Sequence, residues 1–110
     1  MTEHTITDRE KAARTRPPTH PGAILRDIVL PDLGLPKAEI ARLAGISRTM
    51  LYDVLNETAK VTPILALRFG KLLGMSAETL LRMQASYDLW EAGTIVDTDA
   101  IPRLESSHRA

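Results

Sequence analysis

The chain has 110 residues, 14 basic and 14 acidic side chains, and no cysteine. This length supports one domain with a modest core, and the lack of cysteine excludes a disulfide framework and any thiolate nucleophile or ligand. Because the formal charge is balanced, any affinity for nucleic acid must come from local placement of charge and from pairing of subunits. The sequence has no apolar run of membrane length and no signal-peptide core, so we expect a soluble cytoplasmic protein without a membrane partner.

The first 20 residues are polar and include a Pro17-Pro18 pair, which favours extended backbone. We therefore expect residues 1–20 to form a mobile arm. A first helix is predicted to start at His20-Pro21-Gly22 and to stop at Pro31. Its helically spaced apolar residues are expected to be buried: Ile24, Leu25, Ile28 and Val29.

Residues 36–56, PKAEIARLAGISRTMLYDVLN, have the spacing of a helix-turn-helix. Gly45 supplies the positive φ that a tight turn needs, Ile46 plugs the gap between the helices, and Ser47 can cap the second helix. A glycine between two helices also occurs in unrelated small helical domains, but here the small, glycine, β-branched and capping positions coincide. The residues expected to face inward are Ile40, Ala41, Leu43 and Ala44 in the first helix and Leu51, Val54 and Leu55 in the second.

The outward side chains of this motif are the candidate DNA-binding residues. Arg48, in the first turn of the second helix, can pair with guanine O6 and N7, whereas Lys37 and Ser47 lie at helix N-termini, which bind phosphate. Asp53 and Glu57 oppose binding, because a carboxylate near phosphate is repelled. With so few cations, we expect one copy to bind DNA weakly and in a strongly salt-dependent way. The candidate DNA-binding residues are Lys37, Ser47, Arg48, Thr49, Met50, Tyr52, Asp53 and Asn56.

Two further helices are predicted after the motif. Thr62-Pro63 is a strong helix-start signal, and Gly74 is expected to end that helix in the left-handed conformation. Ser76 is expected to cap a last helix over 76–92 that Gly93 closes. The domain then spans residues 21–92 and is followed by a tail over 93–110, in which a short extended piece at 94–96 is possible.

The last helix carries two apolar stripes. One consists of Leu80, Met83, Tyr87 and Trp90. The other consists of Leu81, Ala85, Leu89 and Ala92. Both stripes can fold into one wide core face, but a domain this small is expected to cover only one, so the other favours a homodimer suited to a two-fold DNA site. The candidate dimer-interface residues are Leu81, Ala85, Leu89 and Trp90.

The residues give little support to an enzyme. His4, His20 and His108 lack metal-ligand spacing, and the sequence shows no carboxylate pair, nucleophile with a base, or glycine-rich phosphate loop. We expect His20 to be a helix-entry residue rather than a catalytic one, and we expect no cofactor and no metal.

Three segments together resemble the HigA-type antitoxins of bacterial toxin–antitoxin modules, within the lambda-repressor-like helix-turn-helix group. They are PPTHPGAILRDIVLPDLGL at 17–35, the motif at 36–56, and VTPILALRFGKLLGMSAETLLRMQASYDLWEA at 61–92. The His-Pro-Gly opening and the Tyr87-Asp88-Leu89-Trp90 ending are more specific than the helix-turn-helix, which many repressors share.

The resemblance implies an all-α, five-helix domain with a flexible N-terminal arm and a C-terminal tail. It also implies a homodimer that represses its own operon by binding double-stranded operator DNA, and that neutralises a RelE-like toxin that cleaves mRNA. The base-reading positions of the family fall on Ser47, Arg48, Thr49, Met50 and Asp53. Family members often have a basic residue in place of Asp53 and a Gly-basic pair in place of Glu57-Thr58. Two alternatives therefore stay open: a toxin-neutralising protein with weakened DNA binding, and a free-standing repressor without a toxin.

Overall fold

A computed structural model of the protein describes residues 17–105. Within that range the chain forms five helices, a short 3-10 turn and no strand, which confirms the all-α prediction. The helix α1 is built from three consecutive segments. These segments are Pro21–Ile24, Leu25–Val29 and Leu30–Leu33. The other helices are α2 (Lys37–Ala44), α3 (Arg48–Leu55), α4 (Pro63–Leu73) and α5 (Ala77–Gly93), and the 3-10 turn is Thr98–Ala100.

One apolar core joins all five helices. Phe69 of α4 is fully buried at its centre, with Leu25 of α1, Ile40 of α2, Leu51 of α3 and Leu80 of α5 packed in the same cluster. Each such side chain contributes about 1.5 to 3 kcal/mol through burial. This shared core holds α3 against the rest of the domain, so its outward face has a fixed position.

The ends of the helices follow the signals in the sequence. Ser47, Thr62 and Ser76 each accept a hydrogen bond from the backbone N–H three residues on, as expected for N-caps. Gly45 and Gly74 have φ of 74° and 66°, as predicted for helix ends in the left-handed region. These local predictions are confirmed.

The prediction that Pro31 stops the first helix is wrong. The chain stays helical to Leu33, and Gly34, with φ of 66°, ends it. A wider π-helical turn precedes the proline, and Leu30 N–H donates to the carbonyl of Leu25, five residues back. A proline ring in a regular α-helix collides with the carbonyl four residues back, and the wider turn relieves that collision.

The same π turn shifts the buried face of α1. An extra residue in one turn rotates every later side chain about the axis, so Leu30 is buried and Ile28 is 56% exposed. Leu25 is buried as predicted, and Ile24 and Val29 are half-buried. The predicted burial of Leu43 is also wrong: it is 46% exposed, because it lies on the side of α2 that borders a surface groove.

The start of α1 is the most closely packed junction of the fold. His20 is buried and caps the helix, its Nδ1 accepting from Gly22 N–H at 2.9 Å. A Cβ on Gly22 would overlap the carbonyl oxygen of Val54, so only glycine lets α1 approach α3 this closely. The prediction that His20 is a helix-entry residue is confirmed.

Residues 93–105 leave the domain. Gly93 still belongs to α5, and the N–H groups of Ile95 and Val96 both donate to the carbonyl of Ala92 in a turn, so the possible extended piece at 94–96 does not form. Every residue from 93 to 105 is exposed. Residues 1–16 of the expected arm and residues 106–110 of the expected tail lie outside the described range.

Candidate nucleic-acid interface

The second helix of the helix-turn-helix, α3, is the recognition helix. Its buried side chains and the hydrogen bonds at its ends hold it in place. Leu51, Val54 and Leu55 are buried as predicted. Ser47 caps its start by accepting from Met50 N–H at 3.0 Å. Because these contacts fix the position and rotation of α3, its outer side chains form a prearranged face.

The residues on that face are mostly exposed, as the sequence predicts. Tyr52 is 45% and Met50 38% exposed, whereas Asp53 is half-buried. The exposed candidate residues on α3 and at its two ends are Ser47, Arg48, Thr49, Met50, Tyr52 and Asn56. The structure therefore brings these candidates together on one polar surface.

Lys37 joins this surface from the neighbouring helix. Its Nζ lies 5.9 Å from the centre of the Tyr52 ring, within the range of a cation–π contact. Lys37 is the first residue of α2, so its charge lies close to the free N–H groups at the start of that helix. The contact places the Lys37 ammonium against the Tyr52 ring, at the edge of the recognition face.

Two of the other cations near the motif already have carboxylate partners. Arg42 forms an ion pair with Glu39 on the same helix, which raises the pKa of Arg42 and lowers that of Glu39. Lys60 Nζ lies 3.4 Å from Asp88. Within the described residues no ion pair engages Arg48 or Lys37, so they are the cations of the motif most available to phosphate or base edges.

The turn after α3 is a Schellman motif with glutamate where glycine is usual. Thr58 N–H donates to the carbonyl of Asp53 at 2.9 Å, and Glu57 N–H donates to the carbonyl of Val54 at 3.0 Å. Glu57 has φ of 64°, the only non-glycine residue of the described chain in the left-handed region. A side chain costs about 1 kcal/mol in that conformation.

Arg26 of α1 compensates the charge of Glu57. Its Nη1 donates to Glu57 Oε2 at 3.1 Å and to the carbonyl of Leu55, in the last turn of α3, at 3.0 Å. Its other nitrogens pair with Asp27, which raises the pKa of Arg26 and lowers that of Asp27. Sequence reasoning counted Glu57 against DNA binding and did not find this guanidinium, because residues 26 and 57 are far apart in the chain. The structure leaves Asp53 as the less compensated carboxylate.

Arg68 of α4 supports the turn of the motif from behind. Its Nη1 donates to the carbonyl of Ala44, the last residue of α2, at 3.0 Å. The guanidinium occupies the place that a Cβ on Gly45 would take. Gly45 is thus needed for its positive φ, whereas Arg68 could move its guanidinium away from a side chain there; Arg68 is a second residue that sequence reasoning missed.

The outer face of α5 carries the second candidate surface. Leu89 is 74% exposed, and Ala85 and Ala92 are exposed beside it. Leu81 is half-buried against the core, and Trp90 is half-buried with its ring 6.2 Å from that of Tyr87. A shallow groove follows this outer face, and it is lined by Lys60, Ala85, Asp88, Leu89, Ala92 and Ile95, with Glu91 at its edge.

Between the two stripes of α5 lies a buried polar side chain. Gln84 is 5% exposed, and its Oε1 accepts from Val61 N–H at 2.8 Å. Its Nε2 donates to Asp88 Oδ1 at 3.0 Å, and Asp88 pairs with Lys60. This chain of contacts ties α5 to the loop that follows the recognition helix.

The buried histidine also packs against α5. The His20 ring lies edge-on to Tyr87 of α5, with ring centres 5.0 Å apart. Burial lowers the pKa of His20, although Glu57, Asp88 and Glu91 partly offset that effect. The neutral ring is therefore a structural part of the domain.

Within residues 17–105 no group of three His, Asp or Glu side chains is arranged to hold a metal ion. Over the same residues, no helix is both long and apolar enough to cross a membrane.

Comparison with known proteins identifies relatives along most of the chain, although no protein-family model matches it. The chain is 33% identical over 93 residues to the uncharacterized HTH-type transcriptional regulator YbaQ of Escherichia coli K12, which covers 84% of this chain and 82% of that protein. It is 34% identical over 73 residues to virulence-associated protein I of Dichelobacter nodosus, covering 66% and 68% of the two chains.

Solved structures share the fold. The antitoxin GraA matches with a TM-score of 0.74 and 29% identity, covering 81% of this chain and 99% of that one. The Pseudomonas aeruginosa antitoxin HigA, solved with the higBA promoter, matches with 0.71 and 28%, covering 81% and 97%. PA4674 of the same organism, solved with a 28-bp operator DNA, matches with 0.73 and 29%, covering 79% and 99%. The chain belongs to the helix-turn-helix transcriptional regulators and, within them, to the HigA-type antitoxins.

Proposed function

We propose that this protein is an antitoxin that binds operator DNA as a homodimer, represses its own operon, and neutralises a RelE-like toxin that cleaves mRNA. The working domain in this proposal is the predicted 21–92 together with the buried cap His20 and the helix end Gly93, with the arm before it and the tail after it. A cytoplasmic location follows from contact with DNA and with an mRNA-cleaving partner.

The observation that carries DNA binding is the prearranged outer face of α3. Arg48 is exposed in the first turn of this helix and lacks an ion-pair partner among the described residues, so its guanidinium is available for a guanine edge. Lys37 and the cap residue Ser47 flank it at helix N-termini, where phosphate binds. PA4674 and HigA, which share this fold, were solved with operator or promoter DNA.

Dimerisation is supported by the outer face of α5. An exposed leucine between two exposed alanines gives an apolar surface on which a second α5 can approach closely. A two-fold dimer places two copies of α3 on one duplex and doubles the small number of available cations. Leu81, half-buried in one copy, extends this surface along the same stripe. Trp90, the fourth predicted interface residue, lies in the other stripe of α5 with its ring 6.2 Å from that of Tyr87, so the proposed interface consists of Leu81, Ala85, Leu89 and Ala92.

For the toxin we propose the surface of α1 and of the arm before it. The π turn leaves Ile28 56% exposed, and Leu33 and Leu35 are 43% and 45% exposed further along. The carboxylates of Asp27 and Asp32 are exposed next to them. An apolar surface with acidic neighbours suits a basic protein partner, and it leaves the faces of α3 and α5 free.

Two measurements on one preparation test the function. The chain is co-expressed with the product of the neighbouring gene, the complex is purified through a tag on that product, and its binding to upstream DNA of the operon is measured by gel shift. We expect a complex that shifts the DNA, and relief of the growth arrest that the neighbouring product causes. If the purified dimer neither shifts the DNA nor relieves the arrest, the proposal fails.

A second candidate function, toxin neutralisation with weakened DNA binding, is favoured by Asp53. Its carboxylate stands on the recognition face, and no cation is paired with it among the described residues. A salt titration separates the two functions. A log K slope close to zero at every operator sequence supports the weakened form, whereas a steep negative slope supports operator binding. If no neighbouring gene encodes a toxin, the chain is instead a free-standing repressor.

A further inference from the structure

A groove lies where the end of α2 meets the outer side of α4. Leu67 is 66% and Leu43 46% exposed at this place, so apolar surface is open to solvent. Arg68 and Lys71 supply the charged groups, and no carboxylate of the described chain lines the groove. The lining residues are Leu43, Ala44, Leu67, Arg68, Lys71 and Leu72.

The segment after α5 carries a net negative charge, opposite to the positive charge of the groove, and it also exposes apolar side chains to solvent. Four apolar side chains project from it without burial in their own domain: Ile95, Val96, Ile101 and Leu104 are 80%, 49%, 61% and 65% exposed. Three carboxylates accompany a single guanidinium between residues 94 and 105. They are Asp97, Asp99 and Glu105, with Arg103 as the cation.

This segment nevertheless has local structure. Asp97 Oδ1 accepts from Asp99 N–H at 3.1 Å and begins the 3-10 turn. Thr94 Oγ1 donates to the carbonyl of Glu91 at 2.6 Å, which fixes the exit from α5. The segment is thus locally ordered, acidic and apolar, but it does not pack against its own domain. Such a segment is suited to bind a surface outside that domain.

We propose that residues 95–104 of one copy occupy the groove between α2 and α4 of a second copy. The inference rests on the proposed dimer. If the outer faces of two α5 helices pair antiparallel about a two-fold axis, α5 of one copy ends beside the start of α5 in the other. Lys71 and Leu72 lie just before that start, at the end of α4.

The reach of the segment is sufficient for this exchange. With the 3-10 turn at Thr98–Ala100 kept and the other residues extended, the ten residues span up to about 29 Å, whereas the 17 residues of α5 are about 26 Å long. In the groove, the carboxylates of the segment meet Lys71, and its isoleucine and leucine side chains cover Leu43 and Leu67. Each dimer would gain two such contacts, one per segment.

Cysteine pairing tests the exchange directly, because the chain has no cysteine of its own. One full-length preparation carries Leu67→Cys, another carries Ile101→Cys, and the two are mixed and mildly oxidised. We expect a disulfide-linked heterodimer that forms at least about tenfold faster than in a control with Ile28→Cys and Ile101→Cys. Ile28 is also an exposed apolar residue but lies on α1. Equal rates in the two mixtures overturn the proposal.

A charge exchange gives a second measurement that does not depend on oxidation. Lys71→Glu is expected to weaken the dimer about three- to tenfold by sedimentation, as for other partly exposed ion pairs, and Asp99→Lys in the same chain is expected to restore it. Loss without restoration counts against the contact.

Failure of the dimer is distinguishable from failure of the exchange. If the unchanged chain sediments as a monomer, both the proposed dimer and the exchange fall. If it sediments as a dimer that Leu89→Glu dissociates but the heterodisulfide does not form, only the exchange falls.

Discussion

The recognition face of α3 and the outer face of α5 belong to one small domain but expose opposite chemistry. The first is polar and offers few unpaired cations. The second is apolar, and its Leu89 is 74% exposed. A polar face with so little positive charge makes a weak monomeric DNA binder, and a bare apolar face is unfavourable in water unless it is covered. The contrast between the two faces therefore makes the proposed operator binding depend on the proposed dimer as much as on the helix-turn-helix itself.

Placing a charge on the outer face of α5 should have the largest effect. Leu89→Glu puts a carboxylate where apolar contact between copies is proposed, so we expect a monomer and a loss of operator affinity of about a hundredfold or more, since two linked half-sites become independent. Sedimentation and fluorescence anisotropy measure the two effects. Ile28→Glu, on α1, is the matched control and should alter neither. If the Leu89→Glu protein is still a dimer, the outer face of α5 is not the interface and the contrast between the two faces fails.

Removing the guanidinium of the recognition face should have the next largest effect. Arg48→Ala is expected to cost about 1 to 3 kcal/mol and to relax preference at one base pair, if the side chain pairs with a guanine edge. Binding is measured at fixed salt on a set of single-base operator variants. Arg82→Ala, which removes an exposed arginine on α5, serves as the control. An unchanged preference at every position would exclude Arg48 from base reading.

Releasing Glu57 from its partner should weaken DNA binding more modestly. Arg26→Gln leaves the carboxylate uncompensated next to the recognition helix, so we expect a loss of operator affinity of about two- to fivefold, in the range of other partly exposed charge pairs. Adding Glu57→Gln should restore most of the affinity, because it removes the unpaired charge. If the double variant binds no better than Arg26→Gln alone, Arg26 acts through the shape of α3 and not through charge.

A dependence of stability on pH should be the smallest effect. Burial lowers the pKa of His20 below its ordinary value of 6.5, so the unfolded chain binds a proton that the folded chain excludes. The free energy of unfolding should therefore be at its full value above pH 6.5 and fall as the pH drops from there to the lowered pKa of the folded state. Urea titrations of the unchanged chain and of His20→Asn at several pH values measure it. The asparagine variant keeps a capping side chain, and an unaltered pH profile in it would show that His20 is not the group responsible.

Much of the fold follows from signals close together in the sequence. Ser47, Thr62 and Gly74 mark helix ends through bonds to their own neighbours, so their roles are legible without the rest of the chain. The buried residues of α3 follow from spacing alone. The exposed face of α3 could be predicted for the same reason, because it consists of the residues on the side of the helix opposite the buried ones.

The features that could not be predicted from the sequence depend on contacts between residues far apart in the chain, or on an extra residue in a helical turn that shifts the spacing of the buried side chains. The π turn in α1 exchanges Ile28 for Leu30 in the core, and no periodic pattern reveals an extra residue in one turn. The pairing of Arg26 with Glu57 joins residues 31 positions apart. The burial of Gln84 could not be predicted because its partner is the backbone N–H of Val61, which carries no sequence signal.

Glu57 limits how strong repression can become. Glu57→Gly would relieve the left-handed strain of the Schellman turn and also release the guanidinium of Arg26, so a single substitution would change both backbone energy and local charge in the direction of tighter DNA binding. Under the proposed function, Glu57 thus sets the operator affinity below what this fold permits. In the proposed autorepressor such restraint would keep the operon responsive, because a weakly held promoter is readily reopened when the free repressor declines.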